Sequence, residues 1–168
     1  LGEVFDEAGL VCERTDDVKG VEIAGAAKNA AALAAAAAEP HGMNAAGIAV
    51  AEVWRECVDY ALARGARLET FIGLAGVGDL TATIMAPGSR NRRAGELLGQ
   101  GTPADQIPGI IGQASEAPRP VPQIADTVAR AGIDAPGLAG LKSLIEGEIS
   151  TGEWIAQVRR AERERRAA

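Results

Sequence analysis

The residues best equipped for chemistry in this chain lie between Gly76 and Arg93. Gly76 and Gly78 open the stretch, Asp79 offers a carboxylate, and Pro87-Gly88 breaks the backbone before an unbroken run of Ser89, Arg90, Asn91, Arg92 and Arg93. Gly and Pro permit a tight path there. Ser89 suits the N-cap of a helix running from Arg90 towards Leu98. Free backbone N–H groups at a helix start, flanked by Ser, Arg and Asn donors, make a ready site for a phosphate. The same residues read equally well as a solvated, basic helix N-terminus, and the segment alone leaves both open.

Lys28 is the second candidate. Lysine occurs only at positions 19, 28 and 142, and Ala24, Gly25, Ala31 and Ala32 occupy the positions one turn away from Lys28. No acid can pair with it locally. Its stem either snorkels to the surface or lines a cavity, and composition by itself favours snorkelling. Glu116 is the third candidate; it sits in an irregular piece where its carboxylate faces either a cleft or water. Gly76-Val-Gly78 partly matches the dinucleotide fingerprint G-x-G-x-x-G, but the third glycine is missing and the preceding residues read as helix. That fingerprint needs strand, turn and helix in order, so a dinucleotide loop is rejected here.

The elements that must carry these groups are helices. The chain of 168 residues fits one domain with a sizeable core. Its apolar share is ordinary, yet only 3% is aromatic and much is Ala and Gly, which favours closely packed helices. The expectation is an all-α fold. Residues 20–38, small on every face and stopped at Pro40, read as a central helix capped by Asp16 or Asp17. Further helices are predicted over 44–64 with Gly65 as its C-cap, 68–74, 90–99, 102–106, 122–131, 139–146 and 151–166. The alternate prolines at 118, 120 and 122 interrupt any helix there. Residues 1–19 read instead as one or two short strands, around Val4-Phe5 and Leu10-Val11-Cys12, that lack a partner sheet.

Composition also bears on partners. A net charge of −6 argues against general nucleic-acid binding, and the Arg-rich tail is interleaved with Glu162 and Glu164 as an exposed helix would be. Cys12 and Cys57 have no metal-ligand spacing and His41 is the only histidine, so a metal site or a Ser–His–Asp triad has little material. Reduced thiols and a cytoplasmic location are the expectation. The Ala-rich run 24–38 is too short for a membrane span, and no signal peptide is visible. The chain starts at Leu1, as a piece of a longer protein would.

Four motifs in order then carry a resemblance: Gly20-Val-Glu-Ile-Ala-Gly-Ala-Ala-Lys-Asn29, Glu69-Thr-Phe-Ile-Gly-Leu-Ala-Gly-Val-Gly-Asp-Leu80, Ser89-Arg-Asn-Arg-Arg93 and Gly112-Gln-Ala-Ser-Glu116. Each is weak alone. Together they resemble the C-terminal helical domain of NAD(P)-dependent glycerol-3-phosphate dehydrogenase, from about Asp16 to near Ile155. The resemblance implies a helical substrate-binding domain like the C-terminal domain of 6-phosphogluconate dehydrogenase over residues 20–168. It implies that residues 1–19 are the β remnant or linker of a preceding Rossmann domain. That domain would be a partner absent from this chain and would bind most of the NAD or NADP.

The implied reaction interconverts dihydroxyacetone phosphate and sn-glycerol 3-phosphate, supplying phospholipid precursor. Lys28 matches the catalytic lysine. Asp79, Ser89, Arg90 and Asn91, with Lys28, match substrate-binding positions; Arg90 and Glu116 match cofactor contacts; Asn29 would orient the site. No metal is implied, and a homodimer is left open. The chain departs from the family at Ala117, Pro118 and Pro120, where a Gly and a Thr are usual, and at Glu52, where a basic residue is usual. Two alternatives accompany this reading: a diverged, non-catalytic helical module for dimerisation or regulation, and a dehydrogenase for another small phosphorylated hydroxy compound.

Overall fold

The computed structural model describes residues 2–112 and 118–167. Among them every regular element is helical. In chain order these are α1 (Gly2–Glu7), α2 (Val18–Ala38), α3 (Met43–Ala63), α4 (Leu68–Ile72), α5 (Asp79–Met85), α6 (Arg90–Gly99), α7 (Ile107–Ile111), α8 (Pro120–Arg130), α9 (Pro136–Ile145) and α10 (Thr151–Ala167). A 3-10 turn, Glu39–His41, follows α2, and a π-helical turn, Leu74–Gly78, joins α4 to α5.

Helix α2 is the axis of the molecule. Its small side chains let neighbours approach on all sides, and Ala30 through Ala38 are all buried. Helices α3 and α6 cross it most extensively, and α4, α5 and α8 also pack against it. The α6 crossing depends on glycine. A Cβ at Gly95 would stand 2.3 Å from the Leu33 carbonyl oxygen, and one at Gly99 would stand 2.9 Å from that of Ala37. Both distances are too short for any side chain.

Asp17, as anticipated, caps α2 by accepting from the Gly20 N–H at 3.0 Å. The same carboxylate accepts from the Arg67 N–H at 2.9 Å and the Thr70 hydroxyl at 2.6 Å. It thereby fixes the start of α4 to the start of α2.

Three local expectations are corrected. Val4 and Phe5 lie in α1, and no strand occurs among the described residues, because β-prone residues without a partner strand cannot satisfy an extended backbone. Residues 104–106 form turns, and the helix comes just after them at Ile107–Ile111. Pro108 is tolerated there because it sits in the first turn, where its missing N–H has no intrahelical acceptor. The same reason lets α8 begin at Pro120 and run through Pro122.

Glu52, the departure on the second long helix, is almost wholly buried and neutralised. Arg55 reaches it at 3.0 Å, and Arg165 from α10 pairs with it as well. One turn on, Glu56 is fully buried and accepts the N–H groups of Gly137 and Leu138, each at 2.7 Å, at the start of α9. Trp154 completes this layer by donating its indole N–H to the Gly137 carbonyl at 3.1 Å.

The stretch Leu68–Met85 has the length and mean hydropathy, 1.3, to cross a membrane by composition. In the fold it is not one helix. The backbone turns extended at Gly73 (φ −87°, ψ −162°), and the pieces wrap around α2.

Candidate active site

Among the described residues, Asp79, Ser89, Arg90 and Asn91 stand at the starts of helices packed against α2. Lys28 lies on α2 itself. The π-helical turn delivers Asp79 to it, and that turn requires glycine, since a Cβ at Gly76 would stand 2.0 Å from the Phe71 carbonyl oxygen. Lys28 Nζ donates to Asp79 Oδ2, a pair that joins residues 51 positions apart. The other carboxylate oxygen, Oδ1, accepts from the Thr83 hydroxyl at 3.5 Å. The Lys28 side chain is 23% exposed. Composition had favoured a stem snorkelling into water; the ammonium instead ends on a carboxylate that only the tertiary fold supplies.

The second junction is one residue along. Asn91 Nδ2 donates to Asn29 Oδ1 at 2.9 Å, so the first turn of α6 is tied to the residue that follows Lys28. Ser89 caps α6 by accepting from the Arg92 N–H at 3.3 Å. As an acceptor it keeps its own hydroxyl proton for a ligand. Arg90 is exposed and joins no ion pair among the described residues. Arg92 and Arg93, by contrast, are engaged: Arg93 bonds Glu96 at 3.0 Å, and Arg92 bonds Glu96, Glu39 and the Ile84 carbonyl.

The fold therefore brings Lys28, Asn29, Asp79 and Asn91 together, with Ser89 and Arg90 on the same helix start. Glu116 lies outside the described residues. An open cleft of about 1300 Å³ borders Asp79, lined in part by Glu22, Arg67, Thr70 and Leu74. A smaller one, about 550 Å³, borders Asn29 between α2, α3 and α8, with Cys57 and Tyr60 in its wall. Burial pushes the Cys57 thiol up to about 12, which keeps it protonated and inert at neutral pH.

A central Ala-rich helix that carries Lys28, with a carboxylate and a donor-rich helix start pinned to it, defines an all-helical domain built around one polar site. Residues 17–156 match the family described as NAD-dependent glycerol-3-phosphate dehydrogenase, C-terminus, and the chain belongs to that family. It is 34% identical over 160 residues to the glycerol-3-phosphate dehydrogenase (NAD(P)+) of Variovorax paradoxus, covering 94% of this chain and 48% of that protein. Against the enzyme of the same name from Cupriavidus metallidurans the identity is 40% over 146 residues, covering 86% and 43%. The crystal structure of glycerol-3-phosphate dehydrogenase from Coxiella burnetii superposes with a TM-score of 0.79 at 27% identity, over 93% of this chain and 51% of that one. The chain thus spans about half the length of the curated relatives it matches.

Proposed function

We propose that this chain is the substrate domain of an NAD(P)-dependent oxidoreductase interconverting dihydroxyacetone phosphate and sn-glycerol 3-phosphate. The observation that carries the reading is the pair of junctions, Lys28 to Asp79 and Asn29 to Asn91, which set a lysine beside a donor-rich helix start. In the oxidation direction Lys28 Nζ, as a free amine, takes the proton of the C2 hydroxyl as hydride leaves C2; in reduction the proton returns to the C2 oxygen. When bound, the nicotinamide accepts or supplies that hydride. Asp79 orients the Lys28 amine, and Asn29 holds Asn91. Arg90 neutralises the phosphate while the Ser89 hydroxyl, the Asn91 amide and the N-terminal N–H groups of α6 donate to it.

Arg90, exposed and outside any ion pair among the described residues, also fits a contact to the cofactor. Glu116 is assigned the second cofactor contact on the family match alone. The rest of the cofactor site belongs to a preceding Rossmann domain, for which residues 1–19 serve as the tail or linker. A cytoplasmic location belongs to the same reading, which leaves a homodimer open.

The test is oxidation of NADH and of NADPH by the complete parent polypeptide, with dihydroxyacetone phosphate compared against dihydroxyacetone. Turnover that needs the phosphate supports the assignment. A folded protein that turns over neither would move the reading to the diverged, non-catalytic module, which the departures at Ala117, Pro118 and Pro120 favour.

A further inference from the structure

We propose that Arg92 is a positioning residue for the phosphate grip, acting from outside the site; this rests on the roles proposed above for Lys28 and residues 89–91. Its guanidinium meets three elements at once. Nε donates to Glu96 Oε1 at 3.1 Å on its own helix. Nη1 donates to the Ile84 carbonyl at 3.0 Å, and Nη2 pairs with Glu39 at 3.1 Å. Ile84 is in the last turn of α5, where carbonyls have no intrahelical partner, and Glu39 is the C-cap residue of α2. Both are negative helix ends, where a cation is favoured. These three helices, α2, α5 and α6, are the ones that carry Lys28 and Asn29, Asp79, and the Ser89 to Asn91 run.

The backbone of Arg92 is tied in as well, since its N–H donates to the Ser89 hydroxyl oxygen. Side chain and main chain of one residue therefore hold the cap of α6 in register with α2 and α5. Arg92 is only 31% exposed, and its fixed fork makes all three bonds together, which an ammonium on a lysine stem cannot do in that geometry. Loss of the fork frees the start of α6 without removing any group that touches substrate.

The experiment uses the complete parent polypeptide with Arg92→Met and Arg92→Lys, read by steady-state kinetics and by amide hydrogen exchange. For R92M the expected result is a KM for dihydroxyacetone phosphate raised about tenfold or more with kcat kept within a few-fold. R92K should fall between R92M and wild type, since it retains the Glu39 pair alone. Exchange should quicken in residues 84–93 of R92M and stay at wild-type rates in α9 and α10. Unchanged KM in R92M, or a fall in kcat with KM unmoved, overturns the inference while leaving the proposed function standing. If the wild type shows no turnover, the proposed function fails, and the positioning role, which rests on it, falls with it.

Discussion

The side-chain amide of Asn91 donates to that of Asn29 at 2.9 Å, so the helix start assigned to phosphate is anchored to the residue next to Lys28. In the proposed function this one hydrogen bond would couple substrate binding to the position of the base. Asn29→Ala removes that anchor. It should raise the KM for dihydroxyacetone phosphate several-fold, up to about tenfold, which is what one net hydrogen bond of about 1 kcal/mol allows. Asn29→Asp keeps an acceptor for the Asn91 amide and should retain the anchor better than Asn29→Ala does. Steady-state kinetics of the two variants check the order, and an N29A enzyme with wild-type KM would break the coupling.

Gly95 sets the α2–α6 spacing. An added methyl would meet the Leu33 carbonyl at 2.3 Å and the Ala36 Cβ at 2.8 Å, neither of which can swing aside as a flexible side chain could. Gly95→Ala should cost at least about 1–3 kcal/mol, the usual range for overpacking. In a chain of this size that lowers the thermal midpoint by roughly 2–10 °C. Calorimetry measures it directly; an unchanged midpoint would mean that the two helices cross at a wider spacing.

Glu56 gives stability a pH dependence of definite sign. Burial pushes its carboxyl up to about 8, against the pull of the Gly137 and Leu138 N–H groups, and nearby Glu52 adds to the rise. An unfolded glutamate titrates near about 4.3, so between that value and about 8 the unfolded chain has lost a proton that the folded one keeps. Stability from this group is greatest below the unfolded value and falls as pH rises through the window. The midpoint of Glu56→Gln relative to wild type should therefore climb from pH 5 to pH 8. A relative midpoint that drops over this range would show that the carboxylate is held ionised by the helix N–H groups.

Asp17 has the opposite sign. The Thr70 hydroxyl first, and then the Arg67 and Gly20 N–H groups, hold its carboxyl below the usual range. Its contribution is present above the unfolded aspartate value and disappears as pH falls through the folded one. Asp17→Asn should thus be less stable than wild type at pH 7, with the gap closing on acidification below pH 4. Paired thermal melts across pH 2–7 check this; a gap independent of pH would mean that the ionised form has no special role.

The all-helical class was legible because Ala and Gly on every face of residues 20–38 suit a closely packed helix, and residues 30–38 are indeed buried all round. The caps at Asp17 and Ser89 were legible for a local reason, since each acceptor and its donor lie three residues apart. What could not be read were contacts made by the fold. Asp79 reaches Lys28 across 51 positions, and Glu56 accepts N–H groups 81 and 82 positions away. Nothing near Glu56 in sequence announces the start of α9. Arg92 was read as one member of a basic cluster, whereas its three acceptors, on α2, α5 and α6, give it a different task from exposed Arg90. At Val4-Phe5 the β-prone residues misled because strand propensity acts only where a sheet exists to receive it.

The central claim is that Lys28 is the base. Its most direct test is Lys28→Ala in the complete parent polypeptide, with NAD(P)H oxidation by dihydroxyacetone phosphate measured beside the binding of glycerol 3-phosphate. The account predicts a kcat lowered by about 100-fold or more, in line with the loss of general acid–base catalysis, with phosphate-dependent binding largely retained through Ser89, Arg90 and Asn91. A variant that turns over near the wild-type rate would contradict it.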